Sequence, residues 1–374
     1  MPMQGSCLAT IWKMEKSRAF LVWQSMQDIS CYSDREASLK FTNKETPIPE
    51  LEAKFNSFNY NTPGIRYLAI YVTPFTKEQS AQQEVRVFAR VREFLLNRNV
   101  VNQTVEPVNI YRDDFQCCLT TMSVAIVAKL GGKPWRLHES IETELIVGVG
   151  AFLNPKTNVK YLGASVCFNN SGRFNDMRWF EQNELNDLAG ALAAKVREYA
   201  QANGQAKRLI IHLYKSLKDE EIAPIEKALE ELELPNPIPI YIVTINKTES
   251  TDFIAFDYDK PNLLMPETGT YIYLGHKKYL LFNNARVGNY HRASDGYHFP
   301  VKLSINANKP EYLTEKAIAD LIDQVYYFSK LYYKSLSQQN LPVTLAYLDM
   351  IAEMVPYFEH PTIPDLVRDR PWFL

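Results

Sequence analysis

The run Leu145-Ile146-Val147-Gly148-Val149-Gly150-Ala151-Phe152-Leu153, the turn Asn154-Pro155-Lys156-Thr157-Asn158 and the run Val159–Phe168 (VKYLGASVCF) decide how this chain is read. Two apolar stretches flank a turn rich in Asn and Pro, which predicts an antiparallel hairpin. Downstream, Leu185, Leu188, Leu192, Val196 and Tyr199 recur at helical spacing and predict an amphipathic helix over Leu185–Ala200. Arg208–Leu213 (RLIIHL) is a buried strand. Asp219–Leu232 is a helix whose acidic N-terminus suits its dipole, and Ile240–Ile245 is a further strand. Hairpin, helix, strand, helix, strand is an α/β order.

Outward from this unit, Arg66–Val72 (RYLAIYV) predicts a strand. Lys77–Asn97 predicts a helix with Val85, Phe88, Val91, Phe94 and Leu95 on one face. Val100–Val105 and Val108–Tyr111 read as short strands, and Thr121–Leu130 as a helix stopped by Gly131-Gly132 and Pro134. This alternation predicts a second α/β unit with a parallel sheet. Beyond the hairpin unit, Tyr271–Leu274 and Tyr279–Phe282 form another hairpin, followed by a long helix over Glu315–Leu336. Residues 1–50 carry no clear period. The division expected is therefore 1–138, with 1–50 poorly defined, and 139–374.

Composition narrows the function classes. The chain has 374 residues, 46% hydrophobic and 22% charged, with a formal net charge of −2, which is not a surface coated in basic residues. A nucleic-acid site would have to be a local patch. The five cysteines are scattered without metal-ligand spacing and read as small buried hydrophobes in a reducing compartment. No apolar run reaches membrane-spanning length and the N-terminus lacks a signal-peptide pattern, so a cytoplasmic location with no membrane partner is expected. No P-loop or dinucleotide fingerprint is present.

An ordered set of segments resembles the Argonaute family. Lys129-Leu130-Gly131-Gly132-Lys133-Pro134-Trp135 resembles the passage from the MID to the PIWI domain. Phe88–Leu96 (FARVREFLL) followed by Gln103 resembles the MID elements that hold a guide 5′ phosphate. Leu145–Phe152 resembles the first PIWI strand, and Asp295–Lys302 (DGYHFPVK) and Leu341–Tyr347 (LPVTLAY) resemble late PIWI segments. The resemblance implies a MID domain with a Rossmann-like parallel sheet followed by a PIWI domain with an RNase H-like fold. It places Phe88, Arg92, Gln103 and Lys129 around the guide 5′ phosphate, with Phe88 and Arg92 standing where the family usually has tyrosine and lysine. An i, i+4 pair shares a helix face, so an aromatic could stack on a base while arginine's planar fork binds phosphate. Lys302 and Arg370 are implied as guide-backbone contacts. Leu374 is implied as a C-terminal carboxylate that reaches a Mg²⁺ ion through the guide phosphate.

Active PIWI domains use several carboxylates to hold two metal ions. The family's first carboxylate position falls on Gly150 and a second on Tyr214, while Asp349 remains acidic at the last. The glutamate of the tetrad has no clear equivalent, Glu181 and Glu184 being equal candidates. His212 reads as a packed histidine rather than a base. The carboxylate pairs Asp257/Asp259 and Asp113/Asp114 read as turns. Lys277-Lys278 and the run from Arg286 to Arg292 read as either a channel lining or a solvated loop.

The implied function is that of a short prokaryotic Argonaute without slicing activity. By that resemblance the chain would start almost directly at MID, with no room for N and PAZ domains. It would bind a guide, RNA with DNA as the alternative, and sense a complementary invader target, single-stranded DNA being favoured. As a heterodimer it would activate an APAZ-domain effector of the Sir2, TIR or nuclease type. The rival readings are a nuclease with a displaced metal site using Asp349, Glu181 or Glu184 and Asp176, and a structural subunit that binds no guide.

Overall fold

The structure, a computed structural model, describes residues 8–11, 37–57, 64–75, 82–112, 115–137, 144–153, 160–169, 174–181, 207–214, 238–248, 253–259, 264–285, 297–335 and 339–374 except 361–363, with isolated positions between them. The chain divides into two compact units, residues 1–134 with 353–374, and residues 135–352. The division expected from sequence kept all of 139–374 together. The last residues instead fold with the first unit, where Glu93 accepts backbone N–H groups of Glu359 and His360 and Arg92 donates to the Phe373 carbonyl.

The first unit has a four-stranded sheet of order β2-β1-β3-β4, comprising β1 (Leu8–Ile11), β2 (Ser38–Lys40), β3 (Tyr67–Val72) and β4 (Val100–Val105). β3 and β4 are parallel, as the strand–helix–strand order predicts. β1 pairs antiparallel with both β2 and β3, so the sheet is mixed rather than parallel. Its two extra strands come from the N-terminal region that carried no readable period. Its longer helices among the described residues are α1 (Ile48–Phe55), α2 (Gln82–Leu96) and α3 (Phe115–Lys129). Val87, Val91, Phe94 and Leu95 of α2 pack with Ala69, Tyr71 and Val100 of the sheet. The expected strand over Val108–Tyr111 is instead a helical turn, Pro107–Ile110. Pro107 sits in its first turn, where a fixed φ suits a helix and the missing N–H is not needed. α3 begins earlier than the expected Thr121, and its Cys118 is exposed, contrary to the reading of the cysteines as buried.

The second unit is built on a nine-stranded sheet of order β11-β12-β13-β10-β9-β5-β7-β6, with β8 paired to β7. The strands are β5 (Glu144–Val149), β6 (Ala151–Leu153), β7 (Lys160–Asn169), β8 (Phe174–Glu181), β9 (Arg208–Leu213), β10 (Ile240–Asn246), β11 (Tyr271–Gly275), β12 (Lys278–Leu281) and β13 (Val301–Ala307). β7 pairs antiparallel with both β5 and β6, which is the expected hairpin with its first strand interrupted at Gly150. β5, β9 and β10 are parallel neighbours. This mixed order agrees with the RNase H-like expectation.

Alternation assigns the faces. Leu145, Val147 and Val149 join Leu209, Ile211 and Leu213 in one core with Leu192 and Val196. Fully burying each such aliphatic side chain is worth about 1.5–3 kcal/mol. Against the opposite face lies α5 (Val343–Ala352). Gly148 makes that approach possible, because a Cβ there would overlap the Thr344 carbonyl oxygen. The helix expected over Glu315–Leu336 ends earlier, as α4 (Glu315–Phe328), where the Ser329 hydroxyl turns back to the Tyr326 carbonyl at 2.6 Å. Among the described residues no helix is long and apolar enough to cross a membrane.

Candidate nucleic-acid interface

α2 places Phe88 and Arg92 one turn apart, and the guanidinium lies 4.7 Å from the Phe88 ring centre. Arg92 is 3% exposed. Its Nε donates to Asn102 Oδ1 at 2.9 Å, and its Nη1 to the Phe373 carbonyl at 2.9 Å and the Met354 sulfur at 3.0 Å. All these acceptors are neutral. Burial lowers the Arg92 pKa to about 9, so the group is still cationic at pH 7, with no carboxylate among its described partners.

Lys129, the last residue of α3, is fully buried beside this group. Its ammonium donates to the Asn102 carbonyl and to Gln103 Oε1, each at 2.8 Å. The structure therefore brings Phe88, Arg92, Gln103 and Lys129 together through Asn102, a residue the sequence reading missed. Its signal was present: a polar side chain in the middle of a strand, buried to 1% exposure.

A clamp on the next helix position recruits the C-terminal segment. The buried Glu93 carboxylate accepts the N–H of Glu359 at 2.9 Å and of His360 at 2.6 Å. Arg90 adds an ion pair to Glu359 at 2.5 Å. Hydrogen bonds to a charged acceptor are worth about 1.5–3 kcal/mol each, enough to hold this segment, and with it Met354, on α2. Leu374 is 5% exposed.

Two further arginines meet at the C-terminus of α3. Gly131 has φ +82°, and a Cβ there would come 2.7 Å from Arg66 Nη1 and 3.4 Å from Arg370 Nε. Arg66 donates to the Leu130 carbonyl, where the helix dipole favours a cation. Burial, and then the charge of Arg66, lower the Arg370 pKa. Arg370 therefore sits beside Arg66, which sequence reasoning did not single out, and pairs with Asp369 at 3.5 Å.

Lys302 lies in the second unit, on β13, in register with Asn246 of β10. Nearby, residues that follow adjacent strand ends converge: Gly150 after β5, Tyr214 after β9 and Lys247 after β10. Lys247 Nζ is 3.6 Å from Asp349 Oδ2 of α5 and 5.8 Å from the centre of the Tyr214 ring. Partial burial raises the Asp349 pKa, and Lys247 opposes that shift. His212, two residues before Tyr214, is fully buried with Nδ1 2.8 Å from Thr344 Oγ1. Burial lowers its pKa to about 3, which suits a packed, neutral histidine.

Divalent ions of the Mg²⁺ type need near-octahedral oxygen ligation. Among the described residues at the strand ends one carboxylate, Asp349, faces a lysine, and this pair alone does not make such a ligand set. Among the described residues no group of three or more His, Cys, Asp or Glu could hold a metal. Asp176 and Glu181 lie on β8 with undescribed side chains, and Glu184, Arg286 and Arg292 lie outside the described residues. In the first unit, the oxygens of Gln103 and Phe373 are already used by Lys129 and Arg92.

The Piwi domain family matches residues 81–360. The Piwi protein of Archaeoglobus fulgidus is 24% identical over 319 residues, which cover 77% of this chain and 72% of that protein. An argonaute of Cereibacter sphaeroides is 23% identical over 322 residues, covering 77% of this chain and 40% of its own length. Among solved structures, Clostridium butyricum Argonaute, bound to a guide DNA and a 19-mer target DNA, superposes with a TM-score of 0.60 at 17% identity. That match covers 88% of this chain and 41% of the Clostridium protein, so the chain spans less than half of either argonaute. With the family matched across most of its length, the chain belongs to the Piwi domain family.

Proposed function

We propose that the chain is the guide-binding subunit of a short Argonaute system, which seats the 5′ phosphate of a guide at Arg92, Lys129, Gln103 and Phe88. The guide pairs with a complementary single-stranded target, and the protein does not cut it. The observation that carries this reading is Arg92, a buried cation whose described hydrogen-bond partners are all neutral. A phosphate supplies the missing negative charge in a medium where each charge-assisted bond is strong. Phe88 then stacks on the first base, and Arg66 and Arg370 lie ready for the following phosphates.

A Mg²⁺ ion bridging the guide phosphate and Leu374 was expected from the resemblance. In this reading Lys129 and Arg92 supply cationic donors to the phosphate, and the Leu374 carboxylate is the group that would hold such an ion. The absence of cutting follows from Gly150 and Tyr214 at carboxylate positions and from Lys247 against Asp349. The target signal passes to an APAZ-bearing effector, and Sir2, TIR and nuclease effectors all accommodate this scheme.

The test compares 5′-phosphorylated and 5′-hydroxyl guides, as RNA and as DNA, on the full chain and on an Arg92→Glu, Lys129→Glu double variant. The wild type prefers the phosphorylated end and the double variant does not. Equal binding of both ends by the wild type refutes the pocket. Cleavage of labelled target by the purified chain with Mg²⁺ or Mn²⁺ refutes the non-cutting reading and favours the displaced-site nuclease.

A further inference from the structure

We propose that Lys247 holds a backbone phosphate of the target strand at the C-terminal ends of β5, β9 and β10. The idea rests on the proposed function, in that it assumes a paired nucleic acid that is bound and not cut. In open α/β sheets the carboxyl ends of adjacent parallel strands form the natural binding edge. Here that edge carries a glycine, a tyrosine and a lysine in sheet order, backed by Asp349 from α5.

Charge decides what this edge can accept. A metal-binding carboxylate cluster repels phosphate until its ions are bound. Among the described residues at this edge, Gly150 and Tyr214 have no charged side chain, and the Asp349 carboxylate is offset by Lys247. A phosphate can then approach without a divalent ion to neutralise the site. The Lys247 side chain is 47% exposed, and at 3.6 Å its link to Asp349 is an ion pair longer than a hydrogen bond. An ammonium has three donors, so it can face Asp349 and still offer N–H groups to a ligand.

The local backbone fixes the direction of the lysine. Asn246 Oδ1 accepts the N–H of Thr248 at 2.8 Å and its hydroxyl at 2.9 Å, closing an Asx-type turn over Lys247. The Tyr214 ring lies beneath the ammonium. Gly150 leaves room at the edge, since a Cβ there would meet only Leu348, at 3.4 Å. Lys302, in register with Asn246, adds a second cation beside the same strand end.

The experiment measures binding of labelled complementary single-stranded DNA to the guide-loaded full chain across a salt series, with and without EDTA. Each lysine–phosphate contact contributes about one unit to the slope of log affinity against log salt. Lys247→Ala is expected to lower the slope by about one and to weaken binding uniformly across target sequences. Lys247→Arg keeps the slope, and EDTA leaves wild-type binding unchanged. A Lys247→Ala chain with wild-type slope and affinity overturns the proposal, as does wild-type target binding that EDTA abolishes. Preference for a 5′-phosphorylated guide, read on the same samples, reports the first unit alone. Its loss in the wild type marks failure of the guide-binding reading rather than of Lys247 in particular.

Discussion

Arg92 and Lys247 are both cations placed to meet an anion, and they sit at opposite extremes. Arg92 is sealed in the first unit, bonded to an amide oxygen, a carbonyl and a sulfur. Lys247 stands half-exposed at a strand end of the second unit, with a carboxylate beside it. A buried charge without a counter-ion costs folding energy and is strong toward an incoming anion. A solvated pair costs little and contributes little to stability. The first site should therefore trade stability for affinity, and the second should affect binding with almost no stability signature.

The sharpest way to break this contrast is Arg92→Met, which keeps bulk near Phe88 and removes the charge. Preference for a 5′-phosphorylated guide should collapse by about 100-fold, equivalent to roughly 2.7 kcal/mol. The thermal midpoint should fall only modestly, since loss of the desolvated charge offsets the cost of about 1–3 kcal/mol for each buried oxygen left unpaired at Asn102 and Phe373. A large loss of stability with retained phosphate preference would reverse the assignment. Next in size is Gly148→Ala, which forces a Cβ onto the Thr344 carbonyl and should destabilise the second unit by about 1–3 kcal/mol in denaturant titration.

His212 gives a pH-dependent test within the same layer. Its folded pKa of about 3 lies below the ordinary value of 6.5. Between those pH values the unfolded chain holds a proton that the folded chain does not. Stability from this group is therefore complete above pH 6.5 and declines as pH falls toward 3. Replacing it in His212→Gln should reduce the acid slope of stability by up to one proton, about 1.4 kcal/mol per pH unit. The smallest effect is expected at Gly150→Ala, two residues from Gly148, where the added methyl meets only the flexible end of Leu348. Its stability should stay within about 0.5 kcal/mol of wild type.

What the sequence made legible was local. The hairpin from Leu145 to Phe168 could be read because both strands and their turn are contiguous, and α2 because its apolar face repeats at helical spacing. β8 could not, since FNDMRWFE mixes Asn, Asp and Arg with its apolar residues. Val108–Tyr111 misled because β-branched residues outweighed Pro107 in the reading. Among site residues, Phe88, Arg92, Gln103 and Lys129 were reached through resemblance, and the structure gathers them around Asn102. Lys247 carried no signal at all. It follows a strand as any surface lysine could, and only the fold brings Asp349 and Tyr214 to it.

The Arg92–Phe373 hydrogen bond joins residues 281 positions apart, with the whole second unit encoded between them. At roughly 5–20 residues per second on a ribosome, Phe373 is made about 15–60 s after Arg92. During that interval the first unit has its sheet and helices but lacks the carbonyl and sulfur that receive the guanidinium. The unit that is synthesised first is thus the last to be finished. A chain that stalls or is clipped before Phe373 leaves an unquenched arginine in a half-closed core, open to chaperones and proteases. Completion of the anion pocket then serves as a receipt that the ribosome has passed through the whole second unit.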